Sequence, residues 1–226
     1  MSAASFAVVL AGRGALPFTT LHGLPLYEHA LGALAGHRPT VVVDPGHGQF
    51  SAIDRDDLDP DTPLLTVADW WAERLHAPGV AGPVLLHDPL CPLTPADFLL
   101  ALAERAAREP ETALVGVRPV TDTLKAVRGD QIEGTIDRDR IATVTSPVVL
   151  GSALLGDPLP PPVEDFTALV AWARERGPVE LVRAPSLARR VCDESSIHLL
   201  EAAVEMRRQL RSPVSAETAR GTRPGT

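Results

Sequence analysis

Phe6-Ala7-Val8-Val9-Leu10-Ala11-Gly12-Arg13-Gly14-Ala15-Leu16-Pro17 is the stretch whose reading decides the fold. An unbroken apolar run that ends in glycines is the pattern of a central parallel strand, buried on both faces. A glycine turn after such a strand lets backbone amides approach phosphate oxygens closely. Ala11, Gly12 and Gly14 are therefore candidate nucleotide-binding positions, although the same turn also serves plain packing. No lysine follows the loop. Lys125 is the only lysine of the chain, so a phosphate cradle here lacks its usual neutralising side chain.

Outward from that strand, apolar runs and helical patterns alternate. Pro25 to Ala35 predicts a helix. Val41-Val42-Val43 predicts a second strand, stopped by Asp44-Pro45-Gly46, and Leu64-Leu65-Thr66-Val67 a third. Val84-Leu85-Leu86-His87 predicts a fourth. Thr94-Pro95 opens a helix to about Arg108, with Thr94 as the cap and Pro95 at the first helical position. Ala113 to Val117 predicts a fifth strand. Such alternation builds a mostly parallel sheet with helices on both faces, and ligands sit at the carboxyl ends of its strands. From Leu124 to about Leu150, two β-like stretches flank Gly129-Asp130 and Gly134 and predict an antiparallel arm. Pro158 to Pro162 reads as a stiff connector. Helices are expected over Asp165 to Arg176 and Asp193 to Leu210, with a strand at Val179 to Val182 between them. The expectation is one α/β domain over residues 1–210, with its arm over about 124–150. The polar tail, 211–226, is expected to be disordered.

Bulk composition excludes several classes. The 226 residues are 45% hydrophobic and 22% charged, the balance of a globular domain rather than a disordered one. A formal net charge of −8 argues against a nucleic-acid partner, which needs clustered positive charge. Cys91 and Cys192 form neither a disulfide framework nor a metal-ligand spacing. With no long apolar run and no leader pattern, no membrane partner and a cytoplasmic location are expected.

His87-Asp88 stands at the carboxyl end of the fourth strand. A carboxylate there can orient a sugar hydroxyl or hold a metal-phosphate complex, or it can simply cap loop amides. The histidines show no paired spacing, so His47 reads as a turn residue, and no Gly-x-Ser-x-Gly motif is present. Cys91 reads as a buried, inert thiol.

Pro119-Val120-Thr121-Asp122-Thr123-Leu124-Lys125, then Thr135-Ile136-Asp137-Arg138, then Ser146-Pro147 resemble in order the arm of the methylerythritol-phosphate cytidylyltransferase family. Val8 to Gly14 is similar to that family's nucleotide loop, Gly23 to His29 to the turn and helix after it, and Leu85 to Asp88 to its strand ending in His-Asp. The resemblance covers roughly residues 5 to 208. It implies a nucleotidyltransferase-like fold and transfer of CMP from CTP to 2-C-methyl-D-erythritol 4-phosphate with Mg²⁺. It also implies a homodimer whose arms embrace. In-line attack loads negative charge on the α-phosphate, so cations must be aimed there.

By the same resemblance, Asp88, Thr123 and Arg138 align with residues that hold the sugar-alcohol phosphate, and Arg190 falls where a lysine is expected. Asp88, Arg138 and Arg190 become the candidate catalytic residues, Lys125 joins the substrate-binding set, and Asp88 is the candidate metal ligand. Asp69 alone fits the family's cytosine and ribose segment, where Trp70 and Trp71 read as packing. The departures lie on the nucleotide side. Ala15-Leu16-Pro17-Phe18 replaces the family's basic residues, and Pro89-Leu90-Cys91-Pro92 replaces an arginine-bearing segment. Arg13 and Arg74 are the nearby candidates to make good the loss. Three functions stay open: a cytidylyltransferase of reduced activity, an inactive homologue that binds a sugar phosphate as a dimer, or transfer of another nucleotide or to another polyol phosphate.

Overall fold

The computed structural model describes residues 4–44, 53, 58–76, 82–121 and 123–211. Its centre is a seven-stranded sheet built from β1 (Ser5–Val9), β4 (Thr40–Val43), β5 (Leu64–Thr66), β6 (Val84–His87), β7 (Ala113–Pro119), β10 (Ala142–Leu150) and β11 (Val179–Arg183). The order is β11-β7-β10-β6-β1-β4-β5, and only β10 runs antiparallel to its neighbours. Two short pairs stand outside it: β2 (Thr20–Leu21) with β3 (Leu24–Pro25), and β8 (Leu124–Arg128) with β9 (Gln131–Ile136).

Alternation along each strand feeds two cores. Ala7, Val9, Val84 and Leu86 face one side, under α2 (Val67–His76) and α4 (Phe166–Arg174), which contribute Trp70, Trp71, Phe166 and Leu169. Val8, Leu10, Val41 and Leu85 face the other, under α1 (Leu26–Ala33) and α3 (Ala96–Arg108). The α3 residues Leu99, Leu102, Ala103 and Ala106 recur at helical spacing and are all buried. A last helix, α5 (Glu194–Arg211), packs Ile197 and Leu200 against Leu21, Leu26 and Leu90. The expected fold, an open mostly parallel sheet covered on both faces, is what forms.

Four local expectations need correction. Thr94 does not cap α3, because its hydroxyl donates to the Cys91 carbonyl at 2.8 Å, and Pro95 is the cap residue rather than the first helical one. The arm is only the β8–β9 hairpin, 124–136, since 142–150 is a sheet strand filling the gap between β6 and β7. Its apolar face, Val148 to Leu150, finds core on both sides, which local pattern does not reveal. A helix, α2, occupies 67–76, where no helix was expected; Thr66 and Asp69 start it. The last helix runs through Arg211, one residue into the expected tail; 212–226 lie outside the described residues, as do His47, Pro45-Gly46 and Asp122. Among the described residues no helix is long and apolar enough to cross a membrane.

Candidate active site

The chain leaves β1 toward β4 and β5, then returns to place β6 on the opposite side of β1. Reversal of strand order opens a crevice at the carboxyl ends of β1 and β6. The loop after β1 and the Asp88 loop after β6 meet there, beside a cavity of about 540 Å³ lined by Gly12, Arg13, Asp88, Thr143, Phe166 and Arg190 among others.

The glycine loop is folded inward. Leu10 and Ala11 amides both donate to the Val42 carbonyl, at 2.8 and 3.1 Å, and the Arg13 amide donates to Leu10 at 3.0 Å. Those amides are spent on the fold and not offered to a phosphate. Gly12 has a φ of +73°, and a Cβ there would stand 2.5 Å from the Glu164 carbonyl oxygen. The glycine is needed for close approach of the 163–164 segment. Of the expected nucleotide-binding residues, Ala11 is fully buried, Gly12 lines the cavity and Gly14 is exposed.

Arg13 and Asp88 form the centre of the site. Asp88 is 2% exposed, and its Oδ1 accepts from Arg13 Nε at 3.3 Å and from the Leu90 amide at 3.0 Å. Its Oδ2 accepts from Arg190 Nε at 3.1 Å. Arg13 Nη1 also donates to the carbonyls of Ala11, Val163 and Glu164, at 2.7, 3.0 and 2.5 Å, and its guanidinium lies 4.7 Å from the centre of the Phe166 ring. Hence Arg13 does not substitute for the missing phosphate-loop cations; it pins the loop to the 163–166 segment. Arg190 differs, being partly exposed at the cavity with only Nε engaged on Asp88. Burial pulls its pKa down, but the Asp88 carboxylate outweighs this and holds it above the ordinary value. Its Nη groups form the edge that a phosphate can grip from two directions.

Beneath Asp88, β10 bulges: Val144 pairs with Val117 and Val148 with Val115, so 145–147 oppose Gly116 alone. A Cβ at Gly116 would lie 2.8 Å from the Ser146 carbonyl oxygen, so only glycine admits the bulge. Ser146 Oγ accepts from the Asp88 amide at 3.1 Å and hydrogen-bonds His87 Nδ1. His87 is fully buried, and burial lowers its pKa to about 4 against a smaller upward pull from Asp88. A neutral imidazole thus stands behind the acidic loop.

The other candidates fall elsewhere. Asp69 accepts from Thr66 Oγ1 at 2.7 Å while its amide donates back to that hydroxyl at 3.1 Å, a reciprocal cap on α2 at the far edge of the sheet. Trp70 and Trp71 are buried packing residues. Arg74 donates to Gly82 at 2.6 Å and lies with Ser5 and Thr40 at the amino ends of the strands, because α2 runs back from the site end. Another cavity, about 430 Å³, is also at the amino ends, beside Arg38, Asp59 and Thr62. Thr123, Lys125 and Arg138 are exposed on or beside the hairpin: Lys125 Nζ donates to Thr135 at 2.6 Å and Arg138 Nη1 to the Thr121 carbonyl at 2.7 Å. None of the three lines the Asp88–Arg190 cavity. Sequence reading missed the Arg13–Asp88 pair, although an arginine between two glycines directly after a buried strand was its signal.

Asp88 does not fit a magnesium ligand in this arrangement, since guanidinium groups occupy both its oxygens. Among the described residues no three His, Cys, Asp or Glu side chains cluster to hold a metal.

Comparison with known proteins follows the same lines. The crystal structure of a 4-diphosphocytidyl-2C-methyl-D-erythritol synthase superposes with a TM-score of 0.68 at 18% identity, covering 90% of this chain and all of that one. The 2-C-methyl-D-erythritol 4-phosphate cytidylyltransferase of Thermus thermophilus gives 0.65 at 23% identity, over 91% of this chain and all of that one. The bifunctional enzyme IspD/IspF of Solidesulfovibrio magneticus is 32% identical over 145 residues, 58% of this chain and 36% of that enzyme, so this chain spans little more than a third of its relative's length. The sequence profile of IspD, 2-C-methyl-D-erythritol 4-phosphate cytidylyltransferase, matches residues 11–161. The crevice at the β1–β6 switch point, its His-Asp strand end and the profile match together mean that this chain belongs to the IspD family.

Proposed function

We propose that this chain transfers CMP from CTP to 2-C-methyl-D-erythritol 4-phosphate, slowly, as a cytoplasmic homodimer. The observation that carries the reading is Arg190: Asp88 fixes its Nε while its outer nitrogens remain at the cavity. An acceptor phosphate gripped there would be held by a pre-oriented fork, and its entropy of positioning lost before the reaction. An oxygen of the acceptor's phosphate then bonds to the α-phosphorus, the bond to the bridging oxygen of the β-phosphate breaks and pyrophosphate leaves, so that CMP and the acceptor are joined through a diphosphate bridge. Negative charge grows on the α-phosphate during this step, and each missing donor lowers the rate by about 10²–10³. Arg13 is committed to Asp88 and Arg74 is at the opposite sheet end, so turnover is slow. Asp88 is thus a positioning residue for Arg190. Any magnesium would arrive on the nucleotide's own phosphates.

The homodimer rests on the hairpin. Val127 and Ile132 are 60% and 68% exposed on an isolated two-stranded ribbon, a form that needs further packing to be stable. Crossed arms would also bring Thr123, Lys125 and Arg138 to a partner's cavity.

A second reading, an inactive homologue that binds a sugar phosphate, is favoured by the loop amides already spent on Val42 and Leu10. Pyrophosphate release with CTP, methylerythritol phosphate and Mg²⁺ separates the two. Turnover that Arg190→Gln and Asp88→Ala each abolish upholds the enzyme. No turnover together with no CTP binding by calorimetry leaves the inactive homologue.

A further inference from the structure

The cavity of about 430 Å³ at the amino ends of β4 and β5 has no part in the chemistry above. The turn after α1 and the lead-in to β5 meet there, because the Val41 amide donates to the Pro63 carbonyl at 2.8 Å where the two strands begin. Leu31, Ala35 and Leu58 give the cavity an apolar part, and Glu28, Arg38, Asp61 and Thr62 bring polar side chains to it. Its volume falls within the roughly 300–1,000 Å³ of small-molecule sites.

Most of those polar groups are unspent. Asp59 is committed to its own turn, where its Oδ1 accepts from the Asp61 amide at 3.0 Å and its carbonyl from the Thr62 amide at 2.8 Å. The side chains of Glu28, Arg38 and Asp61, by contrast, make no ion pair and no hydrogen bond among the described residues. Arg38 thus shares a cavity with carboxylates and is paired to none. Thr62 is only 8% exposed, yet its hydroxyl also has no partner among the described residues, and a buried hydroxyl left unmatched costs free energy. No three acidic side chains among the described residues cluster as metal ligands do, so their spacing suits a molecule with several donor atoms rather than a bare ion.

We infer that this cavity binds a small aliphatic amino acid as its zwitterion. The three N–H donors of the ammonium meet Glu28, Asp61 and the Thr62 hydroxyl. Arg38 grips the carboxylate through two parallel N–H groups, and the aliphatic side chain lies on Leu31, Ala35 and Leu58. An amine alone leaves Arg38 unmatched, and a carboxylic acid alone is repelled by Glu28 and Asp61. The site stands at the opposite end of the sheet from the Asp88–Arg190 cavity and does not rest on the function proposed above.

Calorimetry of the full chain with L-leucine provides the test, beside isoamylamine, which lacks the carboxylate, and isocaproate, which lacks the ammonium. Arg38 and Asp61 are exposed and unpaired, so Arg38→Gln and Asp61→Asn leave folding intact. One saturable leucine site is expected in the wild type, with both analogues weaker by about tenfold or more, the effect of losing a charge-assisted contact. Arg38→Gln should weaken leucine about tenfold and leave the amine unchanged, whereas Asp61→Asn should weaken both. Glycine should bind more weakly than leucine, and equal affinity overturns the aliphatic part of the site. An amine that binds as tightly as leucine, or leucine binding that Arg38→Gln leaves unchanged, overturns the zwitterion. Leucine binding untouched by either variant, or no leucine binding at all, overturns the site.

Discussion

Replacing Arg13 by alanine separates a structural pin from a nucleotide ligand. The Arg13 side chain is 2% exposed and bridges Asp88 to the carbonyls of Ala11, Val163 and Glu164. Removing one partner of a buried ion pair costs about 3–5 kcal/mol. Here the loss falls at the lower end, because Asp88 keeps Arg190 Nε and the Leu90 amide as donors. The carbonyls lose charge-assisted bonds worth roughly 1.5–3 kcal/mol each, but these are not additive and cavity water replaces part of them. A net loss of about 3 kcal/mol is expected. For a domain of this size that lowers Tm by roughly 6–12 °C. Thermal unfolding followed by circular dichroism measures it, with CTP calorimetry in parallel. Arg13→Lys should be intermediate, since an ammonium cannot span the carboxylate and the carbonyls together. A variant whose Tm stays at the wild-type value while its CTP binding vanishes would refute the reasoning, because Arg13 would then be a phosphate ligand.

Gly12→Ala should destabilise the fold by more than about 1 kcal/mol in urea titration, since its φ of +73° and the Glu164 carbonyl both oppose a Cβ. An unchanged midpoint would show that the loop can move away from Glu164. Stability should also depend on pH through His87. Its pKa falls from 6.5 unfolded to about 4 folded, so the unfolded chain binds the extra proton between those values. The contribution is complete above about pH 6.5 and is lost on descending to about pH 4, on the order of 3 kcal/mol in total. His87→Gln should flatten that part of the profile, and an unchanged slope would place the titrating group elsewhere. Finally, Val127→Asp with Ile132→Asp should convert a dimer to monomer in sedimentation; a monomeric wild type, or a double variant that still dimerises, contradicts the arm's role.

The β1, β4, β6 and β7 strands were legible because strands buried on both faces must be continuously apolar, whatever their neighbours. The glycines at 12 and 14 and the His-Asp strand end were legible as well, because a tight turn restricts residue type. Other features depend on who packs against whom. Ala142 to Leu150 looks like half of an arm until β6 and β7 are seen on either side of it, and Trp70-Trp71 becomes a helix face only under the sheet.

The site divides in the same manner. Asp88 and Arg190 were nameable from their motifs, but 102 positions separate them, and their hydrogen bond exists because β6 and the loop after β11 end at the same edge. Arg13 shows the limit most clearly. Its charge and its glycine neighbours suggested a phosphate ligand, whereas its direction was set by Glu164, 151 positions away, and by the carboxylate of Asp88. Short-range sterics and the burial of apolar runs specify strands, turns and layers from local pattern. The partner of a charged side chain is chosen by which groups lose water together, and that is settled only when distant segments meet.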